Sequence, residues 1–188
     1  MNRNMSKYFK LLSVLFAAIV VIQGCTTKRD GRAYRIYHNT TAKFNGFYYA
    51  NEAMAEAQKK IQDLHEPNWD EVLPLFLDTD ENSSQQVYPL MERAIEKCSK
   101  VVDRHTMNPS KRDRKSIKRP EMNKWIDDNY TVIGSAYYMK EDFAKAEEIF
   151  LFLARTVDTP DAQAWSFSWL GRIYLRTDDL IQAKNILF

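Results

Sequence analysis

Apolar positions return every three or four residues from about Thr41 to Leu64, with Phe44, Phe47, Ala50, Met54, Ala57 and Ile61 near one face. That period predicts an amphipathic helix, ended by Pro67-Asn68. A short apolar patch follows within residues 69–80 (Val72, Leu73, Leu75, Phe76, Leu77), broken by Pro74, and residues 78–86 read as a polar turn. Met91, Ile95, Cys98 and Val102 form one stripe, which predicts a second helix from Pro89 to about His105. Lys111 to Arg119 has no apolar face and lies between Pro109 and Pro120, which reads as an exposed basic loop. An aromatic-rich stretch, Tyr37 to Tyr49, opens the folded part; such density is more often core than ligand site.

The last third repeats itself. Gly134 matches Gly171, Tyr137 matches Tyr174, Asp142 matches Asp179 and Ala146 matches Ala183, all at one offset. A constant period of this size is the mark of a repeat solenoid. The matched residues suit a helix hairpin. A small residue lets two backbones approach, an aromatic three positions later fills the space beside it, and Asp at the turn caps the second helix. Tyr130-x-x-Ile133-Gly134-x-x-Tyr137 with Ala146 and Phe150, then Phe167-x-x-Leu170-Gly171-x-x-Tyr174 with Ala183, resembles the tetratricopeptide repeat. The usual period is about 34 residues, so the extra length falls around Arg155 to Ala162, where Pro160 starts the next helix. Gly46 and Tyr49 reproduce the start of the motif, with Gln58 where Ala is expected. Phe188 falls inside the second helix of a repeat, which predicts an amino-terminal fragment of a longer protein.

The other end has a different pattern. Arg3, Lys7 and Lys10 precede an apolar run from Leu11 to Ile22, which closes on Gly24-Cys25. This is the layout of a secretory signal. As a helix the run spans about 18 Å, short of the roughly 30 Å of a bilayer core. The cysteine after a small residue resembles the bacterial lipobox, which predicts lipidation of Cys25. The competing reading is an ordinary secretory signal with an incidental cysteine. The polar residues 26–31 then read as a tether. The expected organisation is signal peptide 1–24, acylated Cys and tether 25–36, amino-terminal helical region 37–106, basic exposed loop 107–122 and tetratricopeptide-like repeats 123–188.

Composition agrees with an all-α chain: ten Tyr, ten Phe and four Trp stand against only five Gly. Removing Arg3, Lys7 and Lys10 lowers the basic count from 27 to 24 against 25 acidic residues. Nothing in that balance calls for nucleic acid. With Cys25 lipidated, Cys98 has no disulfide partner within the chain and reads as a core residue on its apolar stripe. There is no Gly-rich phosphate loop and no Cys-x-x-Cys, and His38, His65 and His105 lie far apart in sequence. No catalytic residue, metal site, cofactor or small-molecule substrate is therefore expected.

The segment Tyr37-His38-Asn39-Thr40-Thr41-Ala42-Lys43-Phe44-Asn45-Gly46, followed by Ala50-Asn51-Glu52, resembles the start of the SprE/PorW lipoproteins of Bacteroidota. Residues 94–102 and 123–130 are similar too, so the resemblance covers nearly the whole chain after the signal. It implies a longer, non-enzymatic scaffold of the type IX protein secretion system, which also supports gliding motility in species that glide. It further implies a lipid anchor on the periplasmic face of the outer membrane and, as partners, other proteins of that machinery. In the repeat register, Asp128, Thr131, Ser135 and Tyr138, then Trp165, Ser168, Arg172 and Leu175, should line the concave partner-binding groove. The competing functions are a SusD-like nutrient-binding lipoprotein and a general outer-membrane assembly lipoprotein.

Overall fold

The computed structural model describes residue 13 and residues 31–70, 76–108, 121–157 and 160–187. Cys25 and the apolar run before it, apart from Ser13, lie outside the described residues, as do residues 71–75 and the basic segment 111–119. The chain divides into two units, Met1–Tyr34 and Arg35–Phe188. Every regular element among the described residues is helical: α1 (Arg32–Thr41), a π-helical segment (Ala42–Phe47), α2 (Tyr48–Leu64), α3 (Glu81–His105), α4 (Ile126–Met139), α5 (Phe143–Thr156), α6 (Pro160–Arg176) and α7 (Leu180–Leu187). From α2 onward each helix packs on the next in sequence, and α2, α4 and α6 also touch in turn. No helix among the described residues is long and apolar enough to cross a membrane.

Helical backbone begins at Arg32, nine residues before the expected start, and covers part of the expected tether. The π-helical segment explains a second difference. Its wider turn inserts a residue into the register, so Ala42 and Gly46 point inward, while Phe44, expected on the buried face, is 60% exposed. Past the segment the expected stripe holds, with Ala50, Met54, Ala57 and Ile61 buried. A Cβ on Gly46 would overlap Val101 Cγ2 and lie 2.9 Å from the Lys97 carbonyl oxygen. The bare backbone at Gly46 is what lets this turn rest on α3.

α3 begins at Glu81, not at Pro89, and the turn expected at 78–86 is mostly its first turns. Asp80 and Ser83 form a reciprocal cap: the Ser83 N–H donates to Asp80 Oδ1 at 2.7 Å, and the Asp80 N–H donates to Ser83 Oγ at 2.9 Å. Two of the donors left orphaned at a helix start are satisfied this way. The buried stripe runs unbroken through Val87, Met91, Ala94, Ile95, Cys98 and Val101. Cap and stripe together outweigh the ladder hydrogen bond that Pro89 forgoes inside the helix. Val102, expected in the stripe, is half-buried, and Val101 takes the inner position.

The two carboxyl-terminal hairpins are copies at the sequence offset. Glu141 and Asp178 both turn left-handed, at φ 61° and 58°. The Asp142 N–H donates to the Tyr137 carbonyl at 3.0 Å, and the Asp179 N–H donates to the Tyr174 carbonyl at 2.8 Å. The Asp142 carboxylate accepts from the Lys145 N–H, and Asp179 accepts from the Gln182 N–H, as helix caps. Ala146 and Ala183 are buried at the contact. A Cβ on Gly134 would lie 2.8 Å from the Phe150 ring, and one on Gly171 would lie 2.8 Å from Leu187. Phe150 and Leu187 are themselves equivalent by the offset. Both glycines therefore stand where paired helices approach closely.

Candidate functional site

The repeats were expected to present a groove lined by their first helices. The structure places a segment of the chain against α4 and α6. Residues 76–80, which lead into α3, meet Tyr138 on α4 and Arg172 and Arg176 on α6. Asp78 Oδ1 accepts from the Tyr138 hydroxyl at 2.8 Å and from the Arg172 guanidinium at 2.7 Å. The Arg172 guanidinium lies over three rings, Phe76 and Trp169 at 4.4 Å and Tyr138 at 4.9 Å. The Arg176 guanidinium donates to the Thr79 carbonyl at 2.8 Å and to Glu141 at 2.7 Å. Below this strap, Trp169 stacks on Phe150 with ring centroids 5.4 Å apart and meets Tyr138 edge-on at 5.3 Å. Burial, then the hydrogen bond to Asp78, pushes the Tyr138 hydroxyl up to about 12. It stays a protonated donor.

The eight residues expected to line the groove divide accordingly. Ser135 is buried and its hydroxyl donates to the Val132 carbonyl within its own helix. Tyr138 is 2% exposed, and Arg172 is held by Asp78. These three are engaged within the molecule, with Arg172 only partly exposed. Thr131 is half-buried, with its hydroxyl on the Asp127 carbonyl. Asp128 is exposed, although partial desolvation of its carboxyl, then the charge of Asp127, holds it above the ordinary carboxylate range. Trp165, Ser168 and Leu175 on α6 are exposed, Trp165 at 65% and Leu175 at 55%. The open part of the expected surface is thus mainly the outer side of α6. Asp78, which meets Tyr138 and Arg172, and Phe76, which meets Arg172, were missed because they sit 60 and more positions away in sequence.

The second feature that spacing concealed is a histidine pair. His38 and His105 are 67 residues apart, yet their Nδ1 atoms lie 2.8 Å apart. One ring must donate and the other accept. The Asn123 side-chain amide, just before α4, donates to the backbone carbonyls of both, at 3.4 and 2.9 Å. Burial depresses the proton affinity of His38; burial, His38 and Arg104 depress that of His105. Among the described residues, no three or more His, Cys, Asp or Glu side chains stand together as a metal site. Cys98 is fully buried in the α2–α3–α4 core, and burial pushes its thiol up to about 12.

The chain matches no protein-family model and no curated protein.

Proposed function

We propose that this chain is a non-enzymatic scaffold of the type IX protein secretion system, anchored through Cys25 to the periplasmic face of the outer membrane. In this reading the α4–α5 and α6–α7 hairpins are tetratricopeptide-like units that bind other proteins of the machinery. The observation that supports it most is the recurrence of one hairpin geometry at the sequence offset: left-handed turn, Asp cap and Gly contact each occur twice. Repeats of this kind bury their core between neighbours and present a continuous helical surface. Here that surface carries an exposed indole and an exposed leucine on one helix, Trp165 and Leu175. Buried aromatic anchors dominate protein interfaces. The sequence likeness to the SprE/PorW lipoproteins supplies the identity of the machinery.

Two measurements test the parts. Mass spectrometry of the membrane-extracted protein should find acyl mass on an amino-terminal Cys25; processed protein with an unmodified Cys25 refutes the anchor. Trp165→Ala with Leu175→Ala should weaken capture of the secretion components at unchanged protein level. Arg172 is unsuited to that test, because it also holds Asp78. A variant that captures those components as the wild type does refutes the α6 surface as the docking face.

A further inference from the structure

We propose that the cleft between the start of the helical chain and α3 is a binding site for a phosphate-bearing ligand. It is a cavity of about 440 Å³, within the range of small-molecule sites. One wall is basic. Lys97, Lys100 and Arg104 follow at spacings of three and four on α3, so all three look into the same space. The opposite wall is polar and aromatic, with Tyr37, Thr41 and Tyr49 from α1 and α2. Among the described residues no carboxylate lines it.

Two further features line this space. Gly46 brings its backbone against α3, so that the two walls converge. The His38–His105 pair, with its Nδ1 atoms 2.8 Å apart, also lines the cavity. Three cations on successive turns of one helix repel one another. Lys100 finds partial relief in Glu96, one turn back. Both of those side chains are more than half exposed, so that pair contributes little and yields readily to a better anion. Lys97 and Arg104 make no ion pair among the described residues. A phosphate group supplies several acceptor oxygens to several donors at once, and a guanidinium beside two ammonium groups is the donor set such a group takes. The exposed faces of Tyr37 and Tyr49, 61% and 43% open, would flank whatever the phosphate is esterified to.

The ligand can be a soluble phosphate ester or the headgroup of an anionic lipid, and the test separates these. The full chain is titrated calorimetrically with inorganic phosphate against sodium chloride at equal ionic strength. It is then offered phosphatidylglycerol vesicles, with and without phosphate as competitor. Saturable one-site phosphate binding is expected, with amide shifts in magnetic resonance spectra confined to residues around Lys97, Arg104, His38 and His105. Lys97→Ala with Arg104→Ala should weaken it at least tenfold. Lys59→Ala with Lys60→Ala, on the exposed side of α2, should leave it unchanged. Vesicle binding displaced by phosphate identifies a headgroup; phosphate binding without vesicle competition identifies a soluble ester. The inference is overturned by an absence of saturable phosphate and vesicle binding, by equal losses in both double variants, by shifts elsewhere in the chain, or by tighter binding of a polyglutamate peptide than of phosphate.

Discussion

Asp78 accepts a 2.8 Å hydrogen bond from the hydroxyl of Tyr138, sixty positions further along the chain. The same oxygen takes the Arg172 guanidinium. One carboxylate thus ties the strap before α3 to the first helices of both repeats. Asp78→Ala removes the acceptor and leaves the largely buried Tyr138 hydroxyl and the Arg172 charge without it. The expected loss is about 1–3 kcal/mol, read as a lowered midpoint in urea. The strap should also become an early site of limited proteolysis. An unchanged midpoint together with unchanged protection would mean that the strap is held by its apolar side chains alone.

The three contact glycines differ in how far their neighbours can yield. Gly46 faces Val101 and a backbone carbonyl, Gly134 faces the fully buried Phe150 ring, and Gly171 faces Leu187, which is 47% exposed. Overpacking costs roughly 1–3 kcal/mol where the surroundings are fixed. Gly46→Ala and Gly134→Ala should fall in that range, and Gly171→Ala below it, because the Leu187 side chain can swing aside. Thermal melts order the three. Gly171→Ala as the most damaging would show that the α6–α7 contact is more rigid than its exposure implies.

Acid should weaken the fold through the histidine pair. Both rings have folded proton affinities below the ordinary value of 6.5. Below that value the unfolded chain binds protons that the folded chain does not, so stability is complete above it and is lost as pH falls through it. Glu121 works with the opposite sign at lower pH, since burial raises its carboxyl. The decline between pH 7.5 and 5.5 should therefore be shallower in His105→Gln. Parallel midpoint-versus-pH curves for the two proteins would remove the pair from the account.

Cys98 should be inert. Its thiol is fully buried and held at about 12, and the thiolate is the reactive form. In a Cys25→Ser background, a thiol reagent should modify Cys98 only at the rate at which the core opens. Modification at the rate of a free thiol would place Cys98 at a surface.

The hairpins were legible in the sequence because their contacts are local. Gly134 meets Phe150 sixteen positions on, and the Asp142 and Asp179 caps act within one turn. Errors arose where a neighbour overruled a local rule. Pro89 reads as a helix start until the Asp80–Ser83 cap is seen to begin the helix two turns earlier. Phe44 reads as core until the π-helical turn moves Gly46 into its place. The strap and the histidine pair left no trace in spacing, because Asp78 and Arg172 are 94 positions apart and His38 and His105 are 67 apart. Such pairings depend on how α1, α3, α4 and α6 come together, which no single periodic segment encodes.

In the proposed role, this chain holds parts of an export machine together rather than performing chemistry or capturing nutrients. Deleting its gene in the native host and measuring secretion of type IX cargo separates these roles. Cargo export should stop, along with gliding where the host glides, while general outer-membrane assembly continues. Normal cargo secretion, accompanied by lost growth on a single polysaccharide, would refute the scaffold role and favour nutrient binding.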